Sequence, residues 1–174
     1  MHHGHRAGRI PATAALLLLA AIVAGSCVRQ RDIFAPMPGA VQRTIPDTSV
    51  SVVLDAATQA ITDRGLSIGQ VDREHGMVES EYVDIAAIRS DIDAATAAGI
   101  ERNVRFRFRA IPSFGAVSVY GEAVYQLGDF GGRASERMVP EEHPARPVLE
   151  EMLESIQDQA AHAKAEREPV PPAS

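Results

Sequence analysis

The chain has 174 residues, of which 45% are hydrophobic, and a formal net charge of −6. That is enough length and apolar material for one domain with its own core, while the acidic balance excludes the basic footprint that nucleic-acid binding needs. Cys27 is the single cysteine, so a disulfide framework and a multi-thiolate metal site are excluded as well.

The first element is an export signal. Arg6 and Arg9 precede an apolar run, Ala14 to Ala24, and positions 1–27 hold no acidic residue. As a helix the eleven-residue run is roughly 16 Å long against about 30 Å of hydrocarbon. Pro11 and Thr13 interrupt any extension back to Ile10. Length therefore favours a cleaved signal over a membrane span. The run ends in Ala24-Gly25-Ser26-Cys27, which resembles the lipobox of bacterial lipoproteins, although Ala24 stands where leucine or valine is usual. Small side chains admit the backbone to a protease groove, and the thiol is the one nucleophile there that takes a thioether-linked lipid. The resemblance implies removal of residues 1–26, a diacylglyceryl group on Cys27 and an acyl chain such as palmitate on the freed amine. Two or more chains hold a membrane stably, at about 0.8 kcal/mol per buried CH₂. The alternative is an ordinary signal peptide that leaves Cys27 a free thiol. Val28 is not the aspartate that marks inner-membrane retention in some bacteria, which points to the periplasmic face of the outer membrane. His2, His3 and His5 lie ahead of the cleavage point and receive no function.

Loss of Arg6 and Arg9 takes the basic count from 17 to 15 against 23 acidic residues, a net −8 for the mature chain. Broad adhesion to anionic lipid is disfavoured by that charge.

Residues 27–46 read as the lipidated cysteine and a flexible tether, with Pro36, Pro38, Gly39 and Pro46 and no apolar period. The nineteen residues after Cys27 stretch to roughly 60 Å; the alternative for Val41 to Ile45 is a short edge strand. Asp47-Thr48-Ser49 supplies N-cap residues. Val50, Val53, Leu54, Ala57 and Ile61 follow at helical spacing, and Gly65 comes after Arg64 as a C′ glycine, so the spacing predicts a helix over 50–64. Strands are expected at 66–72 and 77–83, joined by the turn Arg73-Glu74-His75-Gly76. Residues 85–98 place Ile85, Ile88, Ile92 and Ala95 on one helical face. In 103–111, Val104, Phe106, Phe108 and Ala110 alternate with Arg105, Arg107 and Arg109; 116–127 alternates in the same way, and Pro112 to Gly115 is the turn between them. This period of two marks a sheet with one buried face. Residues 128–146 read as a loop. A last helix, 147–164, opens on Pro147 and carries Val148, Leu149, Met152, Leu153 and Ile156 on one face; the stripe fades after Ile156, so its end is expected to project into solvent. The tail 166–174 reads as disordered.

These elements give a single α+β domain over 47–165, a four-stranded antiparallel sheet with helices packed on one face. Phe106 and Phe108 are expected to pack against Leu54, Ile61, Leu149 and Leu153. The run Asp63-Arg64-Gly65-Leu66-Ser67-Ile68 followed by Val71-Asp72-Arg73-Glu74-His75-Gly76-Met77-Val78 resembles BamC-type helix-grip lipoprotein domains over roughly positions 50–83. The element order agrees with that family to position 160, while the 85–100 insert and the 128–146 loop depart from it. The resemblance implies a non-catalytic part in outer-membrane assembly, and a shared fold alone does not transfer that role.

Chemistry-bearing clusters are sparse. Asp72, Glu74 and His75 share a turn, and Glu141, Glu142 and His143 share a loop. Each is a potential acid–base or metal group, and each is also what a solvated turn or loop contains; for the loop, its length points to docking rather than catalysis. G-x-S-x-G, H-E-x-x-H and a phosphate-cradling glycine loop are missing from the sequence, and no catalytic, metal or cofactor residue is assigned. Arg105, Arg107 and Arg109 form a cationic row in an acidic chain. Either they solvate the open sheet face and pair with Glu122 or Glu79, or they dock an acidic partner. The sequence thus predicts a lipid-anchored, non-catalytic binding or assembly module whose partner is another envelope protein. A small hydrolase or metal-dependent enzyme using His75 or His143, and a carrier of an apolar ligand between helix and sheet, are the alternatives.

Overall fold

The structure, a computed structural model, describes residues 35–89, 101–127 and 135–165. The signal segment, Cys27, residues 90–98 of the predicted 85–98 helix and the tail 166–174 lie outside the described residues.

In chain order the elements are β1 (Val41–Pro46), α1 (Val50–Asp63), β2 (Ile68–Asp72), β3 (Met77–Ser80), β4 (Val83–Asp84), the single turn α2 (Ile85–Ile88), β5 (Asn103–Ser113), β6 (Ala116–Leu127), β7 (Ser135–Met138) and α3 (Ala145–Ala165). Among the described residues, no helix is long and apolar enough to cross a membrane.

α1 forms where its caps and its apolar period agree. Ser49 Oγ accepts from the Val52 N–H at 3.4 Å. At the other end Gly65 takes φ +72°, its N–H donates to Thr62 O, and the Leu66 N–H donates to Ile61 O. Those two bonds are a Schellman closure, which satisfies carbonyls that the helix leaves open. Buried Leu66 and Ile61 supply its apolar contact.

The sheet is antiparallel at every pairing, in the order β1-β6-β5-β3-β2. β4 pairs β5 beyond the end of β3, and β7 pairs β6 beyond the end of β1. Seven strands therefore occupy five ranks, and the expected four-stranded sheet is corrected to a larger one; the α+β class stands. β1 is the short edge strand of the alternative reading for Val41 to Ile45, and β7 lies in the stretch expected as a loop, 128–146. The predicted strand 77–83 splits in two. At the break, the Ser80 hydroxyl accepts from the Phe106 N–H at 3.1 Å and keeps the ladder satisfied where a carbonyl is missing. β5 runs two residues further into the predicted turn, to Ser113, while β6 starts at Ala116 as expected, leaving only Phe114-Gly115 as a hairpin with Gly115 at φ +66°. Pro112 is tolerated inside β5 because β3 pairs β5 only at Arg107–Arg109, where the absent N–H of proline is not needed further on.

Val104, Phe106, Phe108 and Ala110 of β5, and Val117, Val119 and Ala123 of β6, are buried together with Leu54, Ile61, Leu149, Leu153 and Ile156 in one core. Gly121 faces α3: a Cβ there would stand 2.8 Å from Leu153 Cδ1 and 2.9 Å from Leu149 Cδ1, so the absent side chain lets the helix seat on the sheet. Ala160 is fully buried. The packed part of α3 thus continues a turn past Ile156, contrary to the expected projection into solvent, through a residue too small to register in an apolar stripe.

The stretch ahead of β1 is also fixed. Met37-Pro38-Gly39-Ala40 is a turn closed by Ala40 N–H to Met37 O at 3.0 Å. Proline stands at its second position and Gly39, at φ +89°, at its third, the pattern of a type II turn. The Met37 N–H donates to Glu122 Oε1 at 2.8 Å, and Arg146 Nη1 donates to Gly39 O at 3.2 Å. The compact unit accordingly begins at Pro36, and the proline–glycine composition that suggested a free tether belongs to a turn and a strand.

Candidate functional site

The pleat that turns Phe106 and Phe108 toward the helices turns Arg105, Arg107 and Arg109 to the opposite face, at about 6.6 Å intervals. Register then decides their neighbours. Arg107 lies between Glu79 on β3 and Glu122 on β6, and β7 brings in Glu136. Arg107 Nε donates to Glu79 Oε2 at 2.8 Å, Nη2 to Glu136 Oε2 at 2.6 Å and Nη1 to Glu122 Oε2 at 3.4 Å. Arg109 Nε donates to Glu122 Oε1 at 3.2 Å, the oxygen that also accepts from Met37. Arg105 Nη1 donates to Glu79 Oε1 at 2.7 Å. Three guanidinium groups and three carboxylates form one neutral ladder.

Burial sets its character. Glu122 is fully buried, and Glu79, Arg107 and Arg109 nearly so. The expectation that all three arginines solvate an open face is therefore corrected: charge can enter this face because each cation meets a carboxylate across a strand. Only the end formed by Arg105, Tyr82 and Glu136 stays accessible, with about a quarter of the Arg105 and Glu136 side chains in solvent. There the Arg105 guanidinium lies 4.3 Å from the Tyr82 ring centroid, within cation–π range, and the Tyr82 hydroxyl donates to Glu136 Oε1 at 2.7 Å. Arg105 Nε is buried without a hydrogen-bond partner among the described residues. A cleft of about 520 Å³ lined by Tyr82, Glu101, Asn103 and Gln126 opens beside this end.

The protonation states follow. Burial pushes the Glu136 carboxyl up, but hydrogen bonds from Arg107 and Tyr82 and the charges of Arg107 and Arg105 outweigh it, holding the group below the ordinary carboxylate value. Burial pulls the Arg107 guanidinium down, and the Glu136 and Glu79 carboxylates more than offset it, so its net shift is upward. The Tyr82 phenol is pushed up to about 12, first by burial and then by its bond to Glu136. Glu136 and Arg107 are thus held ionised, and the Tyr82 phenol neutral, across the physiological range.

The other predicted clusters are engaged locally. Asp72 accepts from the His75 backbone N–H at 3.0 Å and meets His75 Nδ1 at 2.8 Å. These bonds hold Asp72 below its ordinary value and shape the β2–β3 turn, where Glu74 is exposed. His143 is buried: Nδ1 accepts from the Ala145 N–H at 3.1 Å, which leaves Nε2 to donate to Glu101 O at 2.9 Å. It pins the start of α3 in one tautomer, while Glu141 and Glu142 point to solvent. Among the described residues, no three His, Cys, Asp or Glu side chains converge where they could hold a metal ion. Sequence reasoning anticipated Glu79 and Glu122 as partners but missed Glu136 and Tyr82. Glu136 lies in the four-residue β7, and Tyr82 in the break between β3 and β4, where alternation no longer tells the face.

No protein-family model and no curated protein matches the chain. Among solved structures, the chain is similar to a TBP-like protein from Parabacteroides distasonis at 14% identity and a TM-score of 0.31, over 74% of this chain and 97% of that one. That likeness is too distant to carry a role across.

Proposed function

We propose that this chain is a lipid-anchored envelope protein, held at the periplasmic face of the outer membrane through Cys27, that acts as a non-catalytic binding or assembly module for another envelope protein. The lipobox-like Ala24-Gly25-Ser26-Cys27 supports the anchor and the signal peptide of residues 1–26. Residues 36–46 of the expected tether belong instead to the compact unit that begins at Pro36. Neither nucleic acid nor a cofactor enters this reading.

The observation that carries the docking role is the position of Arg105. It is the member of the row Arg105, Arg107, Arg109 left most in solvent, and Tyr82 and Glu136 hold it in place. A pre-set guanidinium next to an aromatic ring suits recognition of a partner carboxylate, since little side-chain freedom remains to be lost on binding. Arg107 and Arg109 act beneath it as the buried frame. The test is cross-linking and pull-down of the lipidated protein from detergent-solubilised membranes, comparing wild type with Arg105→Gln at low and high salt. The variant is expected to fold normally and to lose a salt-sensitive partner; an Arg105→Gln protein that retains every partner sinks the docking role.

A further inference from the structure

We infer that the cleft beside Tyr82 is a binding site for an uncharged saccharide. This role goes beyond the docking module and requires neither the lipid on Cys27 nor a protein partner at Arg105.

Register builds the floor of the cleft. Asp84 pairs with Asn103 across β4 and β5, and Gln126 pairs with Glu136 across β6 and β7. Val104 faces Tyr125 where β5 meets β6, so one step further along the same register Asn103 stands opposite Gln126. Asp84, Asn103, Gln126 and Glu136 thus form one row across the sheet, on the face turned away from the core. The two ends of the row are occupied. Asp84 accepts from the Ala86 N–H at 3.0 Å and from Arg102 Nε at 3.1 Å, and Glu136 accepts from Tyr82, Arg105 and Arg107. The two amides between them make no side-chain hydrogen bond among the described residues, and both are exposed.

Across a strand pair their Cβ atoms are about 5 Å apart, and each amide offers N–H donors beside a carbonyl acceptor. Sugar hydroxyls, each of which donates and accepts, match that alternation. Glu101 adds an exposed carboxylate acceptor to the lining. Its main chain is fixed by His143 Nε2, which donates to Glu101 O at 2.9 Å. Tyr82 supplies the apolar surface from which the C–H face of a sugar ring excludes water. That ring is set before any ligand arrives, with its hydroxyl on Glu136 and the Arg105 guanidinium 4.3 Å from its centroid, so little side-chain freedom is lost on binding.

Volume and charge select the ligand class. The cleft, about 520 Å³, falls in the size range of small-molecule sites. Among the described residues that line it none is cationic, and Glu101 is anionic, which disfavours phosphate and carboxylate ligands. An amine would answer Glu101 but leave the N–H donors of both amides without an acceptor. Hydroxyl groups satisfy the carboxylate, the amide carbonyls and the amide N–H groups together.

Asn103 is the sole asparagine of the chain, so the full chain carrying isotope-labelled asparagine gives a single side-chain amide pair in a nitrogen–proton correlation spectrum. Titration with chitotriose and with maltotriose at millimolar concentration is expected to move that pair saturably. Gln126→Ala is expected to weaken binding about tenfold, the scale of one hydrogen-bonding partner lost, and to keep the melting temperature of wild type because the amide is exposed. Binding of either saccharide sustains the inference, and the preference between them separates amino sugars from plain hexoses. The absence of a saturable shift with both overturns it. So does a shift that Gln126→Ala leaves unchanged, since the contact then lies outside the cleft. A shift produced by cadaverine and by neither saccharide also overturns it, and assigns the cleft to a cation held by Glu101.

Discussion

Arg107 Nε meets Glu79 Oε2 at 2.8 Å from one strand to the next, with more than nine-tenths of both side chains withdrawn from water. The pair does not stand alone, since the same guanidinium also reaches Glu136 and Glu122. Removing it leaves three carboxylates, two of them buried, with only Arg105 and Arg109 to balance them. Arg107→Met is expected to cost about 3–5 kcal/mol, the range for leaving a buried charge uncompensated. Urea denaturation against wild type checks this, and a loss under 1 kcal/mol would mean that water reaches the ladder freely.

Glu136 ties stability to acid. Its carboxyl is held below the ordinary 4.5 in the folded protein, so the stabilisation it brings is complete above that value and is lost as pH falls through the folded value. Melting temperature should drop as pH is taken below about 4.5, and Glu136→Gln should flatten part of that drop. An unchanged acid limb in the variant would assign the loss to other carboxylates.

Phe106 and Phe108 are both buried, at 0% and 1% exposure, in the core that holds Leu54, Ile61, Leu149 and Leu153. Truncation of either to alanine should cost about 3–5 kcal/mol, a large share of the 5–15 kcal/mol typical of a domain. Chemical denaturation reads this directly, with Phe114→Ala as the control that should be silent.

Gly121→Ala tests the seat of α3 on the sheet. The added methyl would meet Leu149 and Leu153 Cδ1 below 3.0 Å, and overpacking of this kind costs about 1–3 kcal/mol. Pairing the substitution with Leu153→Ala should recover part of the loss, because the second change removes one of the atoms in the way; a strictly additive double mutant would place the strain elsewhere.

Cys27→Ser should shift the exported protein from the membrane fraction to the soluble fraction, and mass spectrometry of the mature N-terminus should find lipid on wild-type Cys27. An unmodified cysteine, or cleavage at another position, would end the lipoprotein reading.

Elements whose signal is local were legible in the chain before any tertiary contact was known. α1 was legible from Ser49, Gly65 and its apolar period, and β5 and β6 from strict alternation over their length, because caps and periodicity are properties of neighbouring residues. That alternation also told which face of β5 is buried, and so put the arginines on the other side. Tertiary structure decided everything that depends on what lies across a strand. β1, β4 and β7 are short and exist through pairing to β5 and β6, so composition leaves β1 between tether and edge strand and reads β4 as a strand end and β7 as loop. Pro38-Gly39 suggests flexibility until Glu122 and Arg146 are found holding the turn. Arg105, Arg107 and Arg109 look alike in the chain, yet register gives Arg107 three carboxylates and leaves Arg105 at the solvent edge with Tyr82. The difference between a buried frame and an accessible contact lies in strand order and register, which long-range pairing sets and local sequence does not.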